Sequence, residues 1–213
     1  MLAGIYRPDS GEIYINDEKV VIDDVASSKK LGISIIHQEL SLAKNMTIAE
    51  NIFLGSYPLK KGFAVDDKRM NEEAAKYLAM IGMEHFPPDR KVASLSIAQQ
   101  QMVEICRSLA GENRILVLDE PTTSLIAEEV ERLMEIMRTL KSKGVAIIFV
   151  SHKLNEIFEI SDNITVLRDG QYVATEKTAE MTTDKLISMM VGREIQDIYP
   201  PHETNIQETF FEA

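Results

Sequence analysis

Two adjacent carboxylates, Asp119 and Glu120, end the apolar part of the segment ILVLDEPTTSL, residues 115–125. A carboxylate at the end of a strand can hold Mg²⁺ through water, and a second one beside it can polarise an attacking water molecule. The alternative interpretation is structural, because acidic residues are also favoured at the N-terminus of a following helix. The pair by itself leaves both interpretations open.

Three other segments place polar groups where they can meet a metal or a phosphate. Gln38 follows the apolar segment ISII, and its amide can orient a water molecule or reach a metal. Ser96 and Gln99 form a predicted capping box, which leaves free backbone N–H groups at a helix N-terminus for an anion. His152 follows the apolar segment VAIIFV and can hydrogen-bond a phosphate. Each also has an ordinary alternative: a surface glutamine, a plain capped helix and a structural histidine.

The composition restricts the classes of protein. The chain has 213 residues and a net charge of -11, which argues against a basic nucleic-acid-binding face. Its single cysteine, Cys106, cannot form an internal disulfide and favours a reducing compartment. No apolar run reaches the ~18 residues of a membrane span, and the N-terminus lacks the pattern of a secretory signal.

The pattern of apolar residues predicts an α/β fold. The strands 115–119 and 145–150 are continuously apolar, and a helix follows each, which is typical of a parallel sheet covered on both faces. Functional groups in such sheets gather at the carboxyl ends of the strands. A strand is also predicted over 33–36, hairpins over 12–22 and 164–175, and helices over 24–31, from Ile48, and over 67–81, 96–110, 127–142 and 183–191.

The order and spacing of these motifs resemble those of the nucleotide-binding domain of ABC transporters. Gln38 matches the Q-loop, Leu95–Gln99 the signature, Ile115–Glu120 the Walker B strand and His152 the switch histidine. The segments AGIYRPDSGEI, IIHQELSLAKNMTIAENIFLG and VSHKLNEIFEISD, with the ending MMVGREIQDIYP, are similar to the first half of the tandem ATPases of ribose- and galactose-type sugar import.

This resemblance implies a P-loop NTPase-like parallel core sheet with an inserted helical subdomain. The expected core comprises 1–39 and 112–192, the helical signature subdomain comprises 40–111, and 193–213 is a linker toward a second half. The chain contains no G-x-x-x-x-G-K-[ST] motif. The resemblance therefore implies an N-terminally truncated domain that lacks the Walker A segment and is inactive alone.

The resemblance also implies roles for individual residues. ATP and Mg²⁺ are the expected ligands, with Asp119 holding the metal through water and Gln38 sensing it. Glu120 is the expected general base, and His152 the expected contact to the γ-phosphate. The signature residues would close on nucleotide held by the other half; they are Ser96, Ile97, Ala98 and Gln99. Ala98 replaces a glycine of the family signature, and the segment SLIA, 124–127, lacks the aspartate usual in the D-loop.

The implied partners are a second nucleotide-binding half or subunit, membrane permease subunits and, indirectly, a periplasmic or extracellular sugar-binding protein. The implied location is cytoplasmic, on the inner face of the plasma membrane. An alternative is a non-hydrolytic fragment that supplies only a signature surface to a partner domain. DNA-repair ATPases with the same motifs are disfavoured, because only 57 positions separate Gln38 from Leu95 and the chain is acidic.

Overall fold

A computed structural model describes residues 1–36, 41–61, 63–111 and 114–192, and these divide into two compact units, Met1–Ile160 and a second that begins at Ser161. The first unit contains strands β1 (Ile13–Ile15), β2 (Glu18–Val20), β3 (Ile33–Ile36), β4 (Ile115–Asp119) and β5 (Ala146–Val150). Its helices are α1 (Val25–Lys30), α2 (Ile48–Ile52), α3 (Asp67–Met80), α4 (Ile97–Leu109), α5 (Ala127–Ser142) and α6 (Leu154–Ile160). The second contains β6 (Asn163–Arg168), β7 (Gln171–Lys177) and α7 (Thr183–Val191).

A three-stranded parallel sheet, in the order β3-β4-β5, positions the predicted site. Its register aligns Ile36 with Leu118, and Leu118 with Phe149. Ile36 and Leu118 are both fully buried on one face, where they join the core formed with the helices of the first unit. The carboxyl ends of the strands therefore lie side by side, as the apolar runs predicted.

The opposite face of the sheet is open at β5. Ile148 is 42% exposed and Val150 is 46% exposed, so the prediction of a sheet covered on both faces is wrong for β5. The reason is that an apolar run reports a preference for burial and not the number of layers that cover it. Among the described strands β5 is also an edge strand, with a partner only in β4.

The helices follow their predicted apolar stripes. The buried side of α5 carries Leu133, Met134, Met137 and Leu140, at the helical spacing expected from the sequence. Helices α2, α3 and α4 pack together, and their buried residues share one hydrophobic core with β4. The division into a core and a helical subdomain over 40–111 stays a prediction. No helix in the described segments is long and apolar enough to cross a lipid bilayer.

Both predicted hairpins are present. Asn16 and Asp17 turn β1 into β2 with φ angles of 52° and 64°. Asp169 and Gly170 turn β6 into β7 with φ angles of 53° and 74°. Positive φ at both central residues is the geometry of a type I′ turn, which asparagine, aspartate and glycine tolerate. The last helix, α7, ends at Val191 as its sequence predicted, and Gly192 is its C-cap.

Candidate nucleotide-hydrolysis site

Strands β4 and β5 bring the predicted acid pair and the predicted histidine to one edge of the sheet. Asp119 is the last residue of β4 and lies opposite Val150, the last residue of β5. The Glu120 N–H donates to the Val150 carbonyl over 2.9 Å, which extends the pairing by one residue. His152 follows Val150 by two positions, so both loops leave the sheet at the same point.

The side chains of Glu120 and His152 contact each other directly. His152 Nδ1 lies 3.0 Å from Glu120 Oε1. A carboxylate that is ionised can only accept a hydrogen bond, and Nδ1–H is then the donor of this contact. The Glu120 side chain is 32% exposed and that of His152 is 63% exposed, so a water molecule or a ligand can reach both. The structure therefore places a carboxylate and an imidazole together in an accessible position.

The backbone of Glu120 adopts an uncommon conformation. Its φ angle is 46°, in the left-handed region that residues other than glycine seldom occupy. Thr123 holds this turn, because its Oγ1 donates to the Glu120 carbonyl over 3.1 Å. The left-handed conformation costs a residue with a Cβ about 1–2 kcal/mol. Strain of this kind is typical of functional positions, and here it turns Glu120 away from the line of β4.

Asp119 offers an exposed carboxylate at the end of β4. The described residues contain no group of three or more histidine, cysteine, aspartate or glutamate residues able to enclose a metal. Mg²⁺ does not require such a group, since it commonly binds one or two carboxylates together with water and the phosphates of a substrate. The chemistry of Asp119 fits that mode of binding. Gln38 lies outside the described residues.

The N-terminus of α4 carries the predicted signature residues. Ser96 Oγ accepts from the Gln99 N–H at 3.2 Å, and Gln99 Oε1 accepts from the Ser96 N–H at 3.0 Å. The predicted capping box is therefore confirmed. Ile97 is 59% exposed beside it, whereas Ala98 is only 6% exposed. The methyl group of Ala98 is thus part of the protein interior.

Sequence reasoning missed a buried carboxylate on α4. Glu104 is 7% exposed, and its two oxygens accept from the Ser41 N–H at 3.1 Å and the Ser41 hydroxyl at 2.6 Å. Arg107 adds an ion pair at 3.9 Å from Glu104 Oε1. These bonds tie the chain at Ser41 to the helix that begins after Ser96. The available signal was a glutamate on the buried side of a predicted amphipathic helix, where a carboxylate needs partners.

A second missed group lies behind the Glu120–His152 contact. Glu156 on α6 is 8% exposed, and its carboxylate accepts from Thr122 Oγ1 at 2.8 Å. Lys153 pairs with the same carboxylate at 3.2 Å. The sequence signal was the spacing of Lys153 and Glu156, which places them on one face of a helix, but nothing in the sequence showed that they turn inward toward Thr122.

Comparison with known proteins agrees with the arrangement of these motifs. A family described as ABC transporter matches residues 1–123, which is more than half of the chain. The galactose/methyl galactoside import ATP-binding protein MglA of Clostridium perfringens is 42% identical over 212 residues, covering 100% of this chain and 41% of that protein. The ribose import ATP-binding protein RbsA 3 of Rubrobacter xylanophilus is 44% identical, covering 98% and 42%. The xylose import ATP-binding protein XylG of Moorella thermoacetica is 48% identical, covering 94% and 40%.

Solved structures share the fold. The ADP conformation of MJ1267, an ATP-binding cassette of an ABC transporter, has a TM-score of 0.75 and 25% identity, over 90% of this chain and 81% of that one. The ATP-binding cassette MJ0796 bound to ADP and Pi has a TM-score of 0.68 and 27% identity, over 83% and 77%. The chain spans about two fifths of the length of the curated relatives it matches. Its P-loop NTPase-like fold, its motifs and its family match agree: the chain belongs to the ABC transporter family.

Proposed function

We propose that residues 1–213 form part of an ATP-binding, ATP-hydrolysing subunit that drives the import of a monosaccharide. The observation that carries the proposal is the 3.0 Å contact between Glu120 and His152 at the carboxyl end of β4, with Asp119 beside it. The relatives named for galactose, ribose and xylose import support the class of substrate. The fold shared with a cassette bound to ADP and Pi supports the nucleotide.

In this proposal Glu120 removes a proton from the water molecule that attacks the γ-phosphate. A general base must lie within hydrogen-bonding reach of that water, and the exposed third of the Glu120 side chain leaves room for it. His152 holds the carboxylate from one side through Nδ1 and turns the rest of its ring toward solvent, where it can meet a phosphate. The left-handed backbone at Glu120 fixes the direction from which the carboxylate approaches.

Asp119 and Gln38 are the residues that would hold Mg²⁺, Asp119 through water. The bound metal would neutralise charge on the phosphates. Ser96, Ile97, Ala98 and Gln99 would face nucleotide held by a second nucleotide-binding half or subunit. At this surface the Ile97 side chain and the N-terminus of α4, capped by Ser96, are accessible to a partner. Ala98 is buried and packs in the protein interior beneath them.

The proposal includes partners and a location. Membrane permease subunits would bind this protein at the cytoplasmic face of the plasma membrane, and a sugar-binding protein outside the membrane would deliver the sugar to them. The core over 1–39 and 112–192, the helical subdomain over 40–111 and the linker over 193–213 would be the corresponding domains. Nucleic acid is not a partner in this proposal, because the chain is acidic.

A second candidate function is a signature surface without hydrolysis at its own site. The feature that favours it is the accessible N-terminus of α4, where Ser96 caps the helix and Ile97 is 59% exposed. In that case Ser96 and its neighbours would complete the site of a partner, and Glu120 would have no part in catalysis. The first candidate requires Glu120 for transport, whereas the second requires Ser96 and its neighbours but not Glu120.

The test replaces Glu120 at the native locus and measures uptake of labelled galactose, ribose and xylose by the cells. Glu120→Gln keeps the shape of the side chain and removes the base, so we expect uptake of one sugar to fall by at least ~10²-fold. Glu131→Gln, an exposed glutamate of α5, is the matched control and should leave uptake unchanged. Normal uptake in Glu120→Gln cells would refute hydrolysis at this site. Loss of uptake in Ser96→Gly cells together with normal uptake in Glu120→Gln cells would establish the second candidate.

A further inference from the structure

Four polar side chains form a connected cluster behind the contact between Glu120 and His152. We call it the Glu156 network; it consists of Thr122, Ser151, Lys153 and Glu156. Thr122 is 2% exposed and Glu156 is 8% exposed, so both are cut off from bulk water. Buried polar groups of this kind must find partners inside the protein.

The carboxylate of Glu156 is the centre of the network. Its Oε2 accepts from Thr122 Oγ1 at 2.8 Å and from Ser151 Oγ at 3.3 Å. Its Oε1 forms an ion pair with Lys153 Nζ at 3.2 Å. Both oxygens are therefore satisfied, and the negative charge has a positive partner next to it.

Two further hydrogen bonds close the network. Lys153 Nζ donates to the Thr122 carbonyl at 3.0 Å, and the Lys153 N–H donates to Ser151 Oγ at 3.0 Å. Thr122 belongs to the loop that follows β4, whereas Ser151 and Lys153 belong to the loop that follows β5. Glu156, from the first part of α6, joins the two loops.

The position of these partners along the chain gives the network its role. Thr122 follows Glu120 by two residues, and Ser151 and Lys153 stand on either side of His152. The sheet itself fixes the two loops only as far as the hydrogen bond from the Glu120 N–H to the Val150 carbonyl. Beyond that bond and the Glu120–His152 contact, the Glu156 network joins the histidine loop to the glutamate loop.

We infer that Glu156 is the positioning residue that keeps Glu120 and His152 in contact. If either loop moved away, it would remove a donor from a buried carboxylate, and an unpaired buried charge is strongly unfavourable. All the hydrogen bonds of the network can therefore form only when the loop after β4 and the loop after β5 keep this relative position. The inference concerns the geometry of the contact, and its consequence for transport rests on the proposed function.

The chemistry of the partners explains why a carboxylate is required. Thr122, Ser151 and Lys153 all approach Glu156 as donors, so its two oxygens must both accept. An amide of the same size offers one oxygen and one NH₂ group, which is itself a donor. Glu156→Gln would therefore place a donor against a donor and remove the charge that Lys153 neutralises.

The experiment observes the ring nitrogens of His152 in the purified chain by ¹⁵N NMR at pH ~8.5, where an ordinary histidine is neutral. The chain has four histidines, and the signals of His152 are those lost in His152→Gln. In the wild type we expect the proton on Nδ1, because this atom lies 3.0 Å from Glu120 Oε1 and an ionised carboxylate can only accept. In Glu156→Gln we expect the Nδ1-protonated signal to be lost in favour of the Nε2-protonated form.

Glu159→Gln is the matched control. Glu159 lies on the same helix, half-exposed, and pairs with Arg138 outside the network. This variant should retain the Nδ1-protonated signal. Persistence of that signal in Glu156→Gln would overturn the inference, as would its loss in Glu159→Gln or its absence from the wild type.

A second variant separates positioning from stability. Replacing a buried ion pair by apolar residues of similar size is often tolerated, so a chain with both Lys153→Met and Glu156→Leu should melt cooperatively near the wild-type temperature. It should nevertheless lose the Nδ1-protonated signal. Retention of the signal in this folded double variant would show that Glu156 only contributes stability, and the inference would be wrong.

Uptake measurements give the consequence for transport. A small displacement of catalytic groups lowers rates by up to ~10²-fold, so Glu156→Gln should reduce uptake at saturating sugar by on the order of 10-fold, while Glu159→Gln should not. Equal uptake in the two variants would contradict the role of Glu156 in transport. Absence of monosaccharide uptake in wild-type cells would refute the proposed function alone, because the NMR result still decides the positioning.

Discussion

Ser96 offers the sharpest separation of a structural role from a functional one. Its hydroxyl caps α4 by accepting from the Gln99 N–H, and the Gln99 side chain returns a bond to the Ser96 N–H. Ser96→Ala removes the cap, which should lower the free energy of unfolding by about 1 kcal/mol, whereas Ser96→Gly should lower it by only a few tenths. The same hydroxyl is the group proposed to face nucleotide.

The assay is urea unfolding of the purified chain, followed by circular dichroism. With a slope of ~1–3 kcal/mol per molar urea, the loss of ~1 kcal/mol shifts the midpoint by roughly 0.3–1 M. Ser142→Ala is the control, because the hydroxyl of this exposed serine, the last residue of α5, donates to the Thr139 carbonyl of its own helix. Its midpoint should match that of the wild type.

The capping box also predicts an interaction between its two members. Gln99→Ala should lower stability by about 0.5–1.5 kcal/mol, and the double variant Ser96→Ala with Gln99→Ala should lose less than the two single losses added together. Such non-additivity is expected of residues that bond each other. Equal midpoints for Ser96→Ala and the wild type would refute the cap. Ser96→Gly cells that keep normal uptake would remove the hydroxyl from the proposed nucleotide surface.

Two further predictions concern buried polar groups. Asn51 is fully buried; its Oδ1 accepts from the Ala43 N–H at 2.8 Å, and its Nδ2 donates to the Ala43 and Thr47 carbonyls at 3.0 and 2.9 Å. Asn51→Leu should therefore lower the free energy of unfolding by roughly 3 kcal/mol. A urea midpoint equal to that of the wild type would contradict this prediction. Burial raises the pKa of the Cys106 thiol above its ordinary value of 9.0. As pH rises, the unfolded chain therefore loses the thiol proton before the folded chain does, so the free energy of unfolding should fall above pH 9. Cys106→Ala should show a weaker decline in thermal melting over that range.

The sequence predicted most of the elements because their local signals agree with their packing. The predicted capping box at Ser96 marks the start of α4, and the helix predicted to begin at Ile48 is α2, which Thr47 caps. The apolar runs at β4 and β5 place Asp119, Glu120 and His152 at one edge, since the ends of neighbouring parallel strands must meet there.

Contacts between loops were beyond the reach of the sequence. From the sequence, Glu156 is expected to be a solvent-exposed charged residue at the start of a helix. Only the tertiary packing shows that its side chain bonds Thr122. The left-handed backbone of Glu120 gave no signal either, because glutamate has no preference for that conformation. The exposure of Ile148 was mispredicted for a related reason, since the layers that cover a strand are set by distant parts of a chain.

The conformation of Glu120 has a consequence for sequence divergence. In the described part of the chain, the other non-glycine residues with positive φ are Asn16, Asp17 and Asp169, which suit that geometry, whereas glutamate does not. Replacement of Glu120 by glycine or asparagine would relieve strain of about 1 kcal/mol. Under the proposed role of Glu120 as general base, a gene copy released from selection for hydrolysis would therefore gain stability by losing this carboxylate. Under the same proposal, a glutamate retained here in a diverging lineage would mark continued catalysis, because stability alone would remove it.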